Sequence, residues 1–474
     1  MDRPDNSYSK IIYIILSIII FSALSFGAVE IWSSSIAGIF ILTLFVIWII
    51  ISCRKDSEFA DCNIRKISFD DVKIIAAICA LPLYAFIQIL PLPEQILKII
   101  SPKAYELYTF YSLTKSSFIP ISLNPYRTIS NIQQILYSIA VFIPVYFLAR
   151  DRLSIERSIK ILSVFGFILA FFALIQMATW NGKIYWLREV TSGSPFGPFV
   201  NRNHYAGFID MLIPATLGIA FIRKSKEKQI LFGFFAVIMT VSVFMSLSRA
   251  GIISFIISIT VFSAFIVNEK FRHNKKIALL IFIMVLSSYL IYLGVDPVIE
   301  RFYRTDLTTE ERFTIWTDTC KGAKEFILTG SGLGTFVNVF PVYSSKPSTV
   351  IYDHAHNDYV EFLFEAGIAG IILLAIFLYF YIIHCLKGIW RGELGIIRIS
   401  LVSSVMTIIV HSIFDFNLHI TSNLLLLAFI MAILAASSKI EPHDIECHAL
   451  SVNQNKNEEN FVNYANYENS KELI

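Results

Sequence analysis

The chain has 474 residues, of which 55% are hydrophobic and only 16% charged, and its mean hydropathy is +0.65. Apolar runs of about twenty residues recur along it, the length needed to cross ~30 Å of hydrocarbon, so the sequence predicts an all-α, polytopic integral membrane protein. The net charge of +3 is small, and the lysines and arginines fall in short connectors rather than on one basic face, which argues against nucleic acid as a partner.

In chain order, hydropathy predicts about twelve spans, at 10–28, 32–52, 72–92, 130–149, 159–180, 204–223, 229–247, 250–268, 276–294, 358–386, 397–415 and 421–438. The first run carries Ser25, Gly27 and Ala28 where a secretory signal would be cut, but eleven more spans follow, and it is read as an uncleaved first helix. Alternate connectors hold the basic clusters: Arg54, Lys55, Arg65 and Lys66; Arg150, Arg152 and Arg157; Arg223, Lys224, Lys226 and Lys228; Lys270, Arg272, Lys275 and Lys276; Lys387 and Arg391. Those sides are expected to face the cytoplasm, with both termini inside and connectors 93–129, 181–203 and 295–357 outside. One transmembrane domain over 1–438 is expected. Residues 439–474, polar and rich in Asn and Glu, are expected to form a disordered cytoplasmic tail. Of six cysteines only Cys320 falls outside, so no exported disulfide is expected within the chain, and no CxxC spacing suggests a metal or redox centre.

Alternation of the spans places the titratable groups on one side. Arg202, Asn203, His204 and Asp210 open the sixth span; Arg249 occupies the tight turn between the seventh and eighth; His354, His356, Asn357, Asp358 and Glu361 open the tenth; His411 and Asp415 end the eleventh. Ionisable groups at membrane depth are costly and usually face a bundle interior or a watery cavity. Four segments therefore point to one polar basin at the outer edge. Each residue alone also has an ordinary reading: His204, Asp210, Asp415 and His419 as interfacial side chains, and Arg249 as a group that snorkels to head groups. The middles of the spans are nearly free of charge, unlike those of a secondary transporter, the alternative from another class.

The connector ERFTIWTDTCKGAKEFILTGSGLGTF reads as an amphipathic helix over about 310–327, with Phe313, Trp316, Cys320 and Phe326 near one face. Gly330, Gly332 and Gly334 then make a tight turn. No Lys-Ser or Lys-Thr follows these glycines, so the turn is not read as a nucleotide loop. Asp353, His354, His356, Asp358 and Glu361 are metal-ligand residue types, but the stretch lacks the i, i+4 histidine pair of helical zinc sites. No metal is expected, and activity is expected to survive chelator. The alternative is a single general base, a histidine in the first turn of a helix, where the dipole disfavours imidazolium.

His356 and Asn357, nine residues, then Gly367-Ile368-Ala369-Gly370 resemble the His-Asn-x9-Gly-x-x-Gly pattern of the O-antigen ligase and polymerase superfamily. The resemblance extends in order over FVNRNHYAGF (199–208), SLSRAG (246–251), ERFTIW and GSGLGTF (311–336), and HSIFDFNLHI (411–420). It implies a GT-C-type membrane glycosyltransferase of the bacterial inner membrane. Such an enzyme moves a glycan from an undecaprenyl-pyrophosphate carrier, on the periplasmic face, to lipid A core (a ligase) or to another repeat unit (a polymerase), without cofactor or nucleotide. By motif, His356 would be the base, and Arg249 and Arg312, with Arg202 a weaker third, would bind pyrophosphate. Asn357 and Glu361 would orient the imidazole or bind acceptor, and Asn203, His204, His411 and Asp415 would support the site. The reading leans to a ligase.

Overall fold

The structure, a computed structural model, describes residues 6–53, 67–111, 116–149, 151–190, 193–268, 307–346, 351–387 and 392–440, with 276, 280, 282–284, 288, 292 and 300 between. Most of the ninth predicted span, the basic residues at 54, 55, 65, 66, 150, 270, 272, 275 and 391, and the tail from 441 onward lie outside the described residues.

The described chain is helical, with only four two-residue strands in two small two-stranded sheets. Its helices are α1 (Asn6–Leu24), α2 (Ile31–Cys53), α3 (Phe69–Ile89), α4 (Glu94–Ile100), α5 (Pro102–Tyr111), α6 (Pro125–Leu148), α7 (Arg152–Ala178), α8 (Arg202–Ile222), α9 (Lys226–Met245), α10 (Arg249–Asn268), α11 (Leu307–Glu325), α12 (Phe336–Val339), α13 (Asp358–Leu386), α14 (Gly392–His411) and α15 (Thr421–Ser437). Among the described residues, nine helices are long and apolar enough to cross a membrane, and Lys10–Leu24 and Thr421–Ser437 are shorter apolar helices. Every predicted span outside 276–294 coincides with a helix, although several helices begin earlier than hydropathy suggests. Their first turns are polar: the Asn124 side chain accepts from Arg127 N–H to cap α6, and Asp151 accepts from Ser154 N–H to cap α7.

α1 packs on α2, α6, α7 and α15 as part of the bundle. α8 is its axis, buried along its whole length against α7, α9, α10 and α14. Its apolar residues run all round, as a fully enclosed helix requires. Gly218 lets α14 approach: a Cβ there would lie 2.3 Å from Ser400 Oγ.

The two ends of the bundle differ in chemistry. At one end, Arg152 pairs with Glu156 and Glu393, Arg223 with Glu156, and Lys387 with Asp70. The described basic residues Arg157, Lys224, Lys226 and Lys228 belong to the same turns. At the other end, Tyr185 OH donates to Leu24 O and Ser248 Oγ to Asn203 Oδ1. That second end carries His356. The four described cysteines, Cys53, Cys79, Cys320 and Cys385, are free.

α13 is broken at Gly367 (φ 61°, ψ −168°), a backbone state open almost only to glycine. The break frees the N–H groups of Ile368 and Ala369, which donate to Ile327 O (2.8 Å) and Leu328 O (3.2 Å). A Cβ on Gly367 would lie 2.7 Å from Leu328 O, so the first glycine of the G-x-x-G pair is structural. Glu365 meets the glycine turn directly, accepting from Gly334 N–H and Phe336 N–H, both at 2.8 Å. The first half of the chain braces the same joint. Gln88 Nε2 donates to Thr329 O and Glu365 O, its Oε1 accepts from Leu333 N–H, and Tyr84 OH donates to Thr329 O. The early helices thus hold the platform from which residues 353–361 project.

Candidate active site

Residues 351–357 run as irregular chain into α13, and Asn357 ends that run as the helix N-cap, its Oδ1 accepting from Tyr359 N–H (3.0 Å) and Val360 N–H (3.1 Å). His356, just before the cap, has φ +53°, a left-handed backbone costly for a side chain of its size. Its neighbours impose it. Ala355 N–H donates to Glu361 Oε2 (2.7 Å), Trp316 Nε1 donates to Ala355 O (2.9 Å), and Asp358 N–H donates to Ser412 O (2.9 Å). The imidazole is thereby aimed at the turn after α14, where its Nδ1 lies 3.1 Å from Asp415 Oδ1.

Asp415 is fully buried, and His356 is 28% exposed. Burial pushes the Asp415 carboxyl up, but the His356 hydrogen bond and the nearby His204 and Arg312 outweigh it and hold the group well below the usual carboxylate range. An ionised Asp415 accepts the Nδ1–H of His356, which fixes the tautomer and leaves Nε2 as the basic nitrogen. Arg312, from α11, donates through Nη1 to Phe414 O (2.9 Å), one residue before Asp415. Phe416, one residue after it, gathers three imidazoles: His354 is stacked on it at 4.2 Å, and His204 and His356 approach by their edges at 4.9 and 5.0 Å.

Four of the predicted segments therefore meet. His204 and Asn203 come from the start of α8, residues 353–361 from the start of α13, and His411 and Asp415 from the end of α14. Arg249 opens α10 beside Ser248, whose Oγ bonds Asn203, and Arg202 is the first residue of α8. His204, His411 and Asp210 are buried beneath this edge; Asp210 lies deeper on α8 and near Gly251.

Three expectations need correction. His356 is not in the first turn of the helix but precedes its cap, and its partner is Asp415 rather than Glu361. Glu361 instead bonds Ala355 N–H and His354 Nδ1, the latter at 2.8 Å, while Asn357 serves the helix end. The face of α11 also differs. Phe326 is 1% exposed and packs inward with Ile315 and Ala323, whereas Phe313 is 60% exposed and lies on another side. Phe313, Trp316 and Cys320 line an open groove of about 510 Å³ with Thr317, Lys321, Lys324 and Val360. The hydrophobic spacing is helical, as expected, but it joins residues of two faces. The inward face contains Asp318 and Thr319, and these polar positions hid it.

Residues 234–375 match the family model of the O-antigen ligases. The match supports the O-antigen ligase and polymerase superfamily and, at the level of the family, a membrane glycosyltransferase. It covers Arg249, Arg312, His356 and the Gly367 break. Arg202, Asn203, His204, His411 and Asp415 lie outside the ligase-family segment and reach it through the fold. No curated protein matches the chain.

Phe416 was missed as an organiser, although it lies in HSIFDFNLHI. Its signal was faint, because one aromatic residue in an apolar helix-end segment looks like ordinary packing. Glu365 and Gln88 were also missed. A lone Gln near the end of an apolar span and a Glu in the first turns of another were usable signals, since each needs a buried partner.

Proposed function

We propose that this protein transfers a glycan from undecaprenyl pyrophosphate to an acceptor hydroxyl at the periplasmic face of the bacterial inner membrane, as an O-antigen ligase with lipid A core as acceptor. The observation that carries the reading is the His356–Asp415 pair with Arg312 anchored on the same turn. The basic connectors at the opposite end support a periplasmic site, since positive loops stay in the cytoplasm.

His356 Nε2 takes the proton of the acceptor hydroxyl while the oxygen attacks C1 of the first sugar. The new C1–O bond forms as the bond from C1 to the diphosphate oxygen breaks. The polyprenyl diphosphate departs with that electron pair, and direct displacement inverts the anomeric centre. Arg312 and Arg249, with Arg202 in a lesser role, hold the growing phosphate charge, an effect of several kcal/mol in a site shielded from water. Asp415 holds His356 in its working tautomer and stabilises the imidazolium that forms. His204 and His411 line the floor, and Asn203 steadies the turn that carries Arg249. The exposed groove of Phe313 and Trp316 offers the lipid chain an apolar surface beside Ala355. The chemistry itself draws on no cofactor.

A deletion strain tests the assignment. Lipid-linked repeat chains of normal length should accumulate while lipid A core stays uncapped. Chains that stop at one repeat unit would make the protein a polymerase of the same superfamily, and unchanged surface glycan would remove the proposal.

A further inference from the structure

Beside the proposed dyad, three side chains without a role in transfer, His354, Glu361 and His419, each bring a ligand atom within 4.8 Å of the others, and Asp358 lies next to His419. His354 Nδ1 lies 2.8 Å from Glu361 Oε1, and His419 Nε2 lies 3.5 Å from that oxygen and 3.6 Å from Asp358 Oδ1. The outer oxygens of both acids are engaged elsewhere: Glu361 Oε2 accepts from Ala355 N–H (2.7 Å) and Asp358 Oδ2 from Leu418 N–H (3.2 Å). Asp358 Oδ1 is buried with no hydrogen-bond partner among the described residues, and its side chain is 4% exposed. The stack of His354 on Phe416 fixes the plane of that ring.

We propose that His354, His419 and Glu361 form a site for one divalent transition-metal ion of the zinc class, with Asp358 beside His419, which ties the segment around the start of α13 to the turn between α14 and α15. His419 is near both carboxylates yet beyond good hydrogen-bond reach of either, an arrangement natural to groups that share a central atom. Ligands about 2.0–2.1 Å from a tetrahedral zinc stand roughly 3.3 Å apart, and the separations of His354 and His419 from Glu361 Oε1, 2.8 and 3.5 Å, bracket that value. Two imidazoles and a carboxylate, with the fourth position left to water, suit zinc, and the backbone N–H on the outer oxygen of Glu361 is the second-sphere bond such a ligand uses. Asp358 and Glu361 share a helix face at i, i+3. The 353–361 stretch by itself lacks a metal-binding spacing because the decisive ligand, His419, comes from the turn between α14 and α15. The same two segments carry His356 and Asp415, so the ion braces their pairing from the side and takes no part in group transfer.

The test reads binding and does not depend on the proposed reaction. Full-length protein, stripped with chelator in detergent and titrated with Co2+, should bind one ion per chain and develop the intense visible absorption of tetrahedral cobalt. Zn2+ should displace it and raise the melting temperature. His354→Ala with His419→Ala should weaken Co2+ binding by about a hundredfold or more, while His356→Ala should bind normally. Wild-type protein that binds neither Co2+ nor Zn2+ overturns the site, whatever the folding of the double variant. So does Co2+ with the weak spectrum of six-coordinate ion, or affinity unchanged in a folded double variant.

Discussion

Replacing His356 by alanine is expected to abolish glycan transfer, with a loss of at least about 10²–10⁴ in kcat, the range ascribed to a positioned general base. The imidazole is the partly exposed member of its pair, and its Nε2 is the nitrogen left over once Asp415 takes Nδ1. The left-handed backbone at this position (φ +53°) makes asparagine the better structural control, because Asn adopts that conformation more readily than most residues. Both His356→Ala and His356→Asn should insert normally and retain polyprenyl-diphosphate glycan, since neither touches the arginines. Transfer assayed in membranes against protein level, with donor binding measured in parallel, separates a lost base from a lost fold. Near-normal turnover in either variant would remove the assignment.

Asp415→Asn should be almost as severe while preserving shape. The amide oxygen keeps the place of Oδ1, where it accepts from Phe416 N–H (3.0 Å) and still meets Nδ1–H, so the ring stays oriented while the negative charge that stabilises the imidazolium is lost. A fall of roughly 10²-fold or more in kcat is expected, within the range of a general base deprived of its support. The KM for the donor should change little, because the acid acts through His356 and not on phosphate. That split, kcat falling at nearly constant KM, is the readout that a merely structural role would not give. A variant with raised KM and unchanged kcat would place Asp415 in donor binding.

The spans were legible because a membrane core permits so few solutions: backbone polar groups must be satisfied within a helix, and apolar length reveals it. The gathering of basic connectors such as Arg152, Arg157, Arg223 and Lys387 at the end opposite His356 was legible too, since charge alternates along the connectors. The convergence of His356, His204 and Asp415 followed from topology alone. Their pairing did not, because nothing in the spacing of 353–361 says whether Glu361 or a residue from the following hairpin meets the imidazole. The left-handed turn at His356 was likewise hidden. It is imposed by Trp316, Glu361 and Ser412, which come from three places in the chain. Gly367 was visible as part of a motif, but its reason emerged only from the hydrogen bonds that its break lets Ile368 and Ala369 make to Ile327 O and Leu328 O. The face of α11 was misjudged because its buried side includes Asp318, whose carboxylate bonds Lys321 and Ser345. Burial of a satisfied acid defeats a reading by hydrophobicity alone.

The central claim is that imidazole and guanidinium act together on a lipid-linked sugar diphosphate at one membrane edge. Its most direct test is purified protein in sealed liposomes, given polyprenyl-diphosphate glycan and lipid A core from the side bearing His356, and scored for joined product and for solute uptake. The account predicts transfer with inversion at C1, release of polyprenyl diphosphate, and no uptake. Solute uptake without any transfer would contradict it.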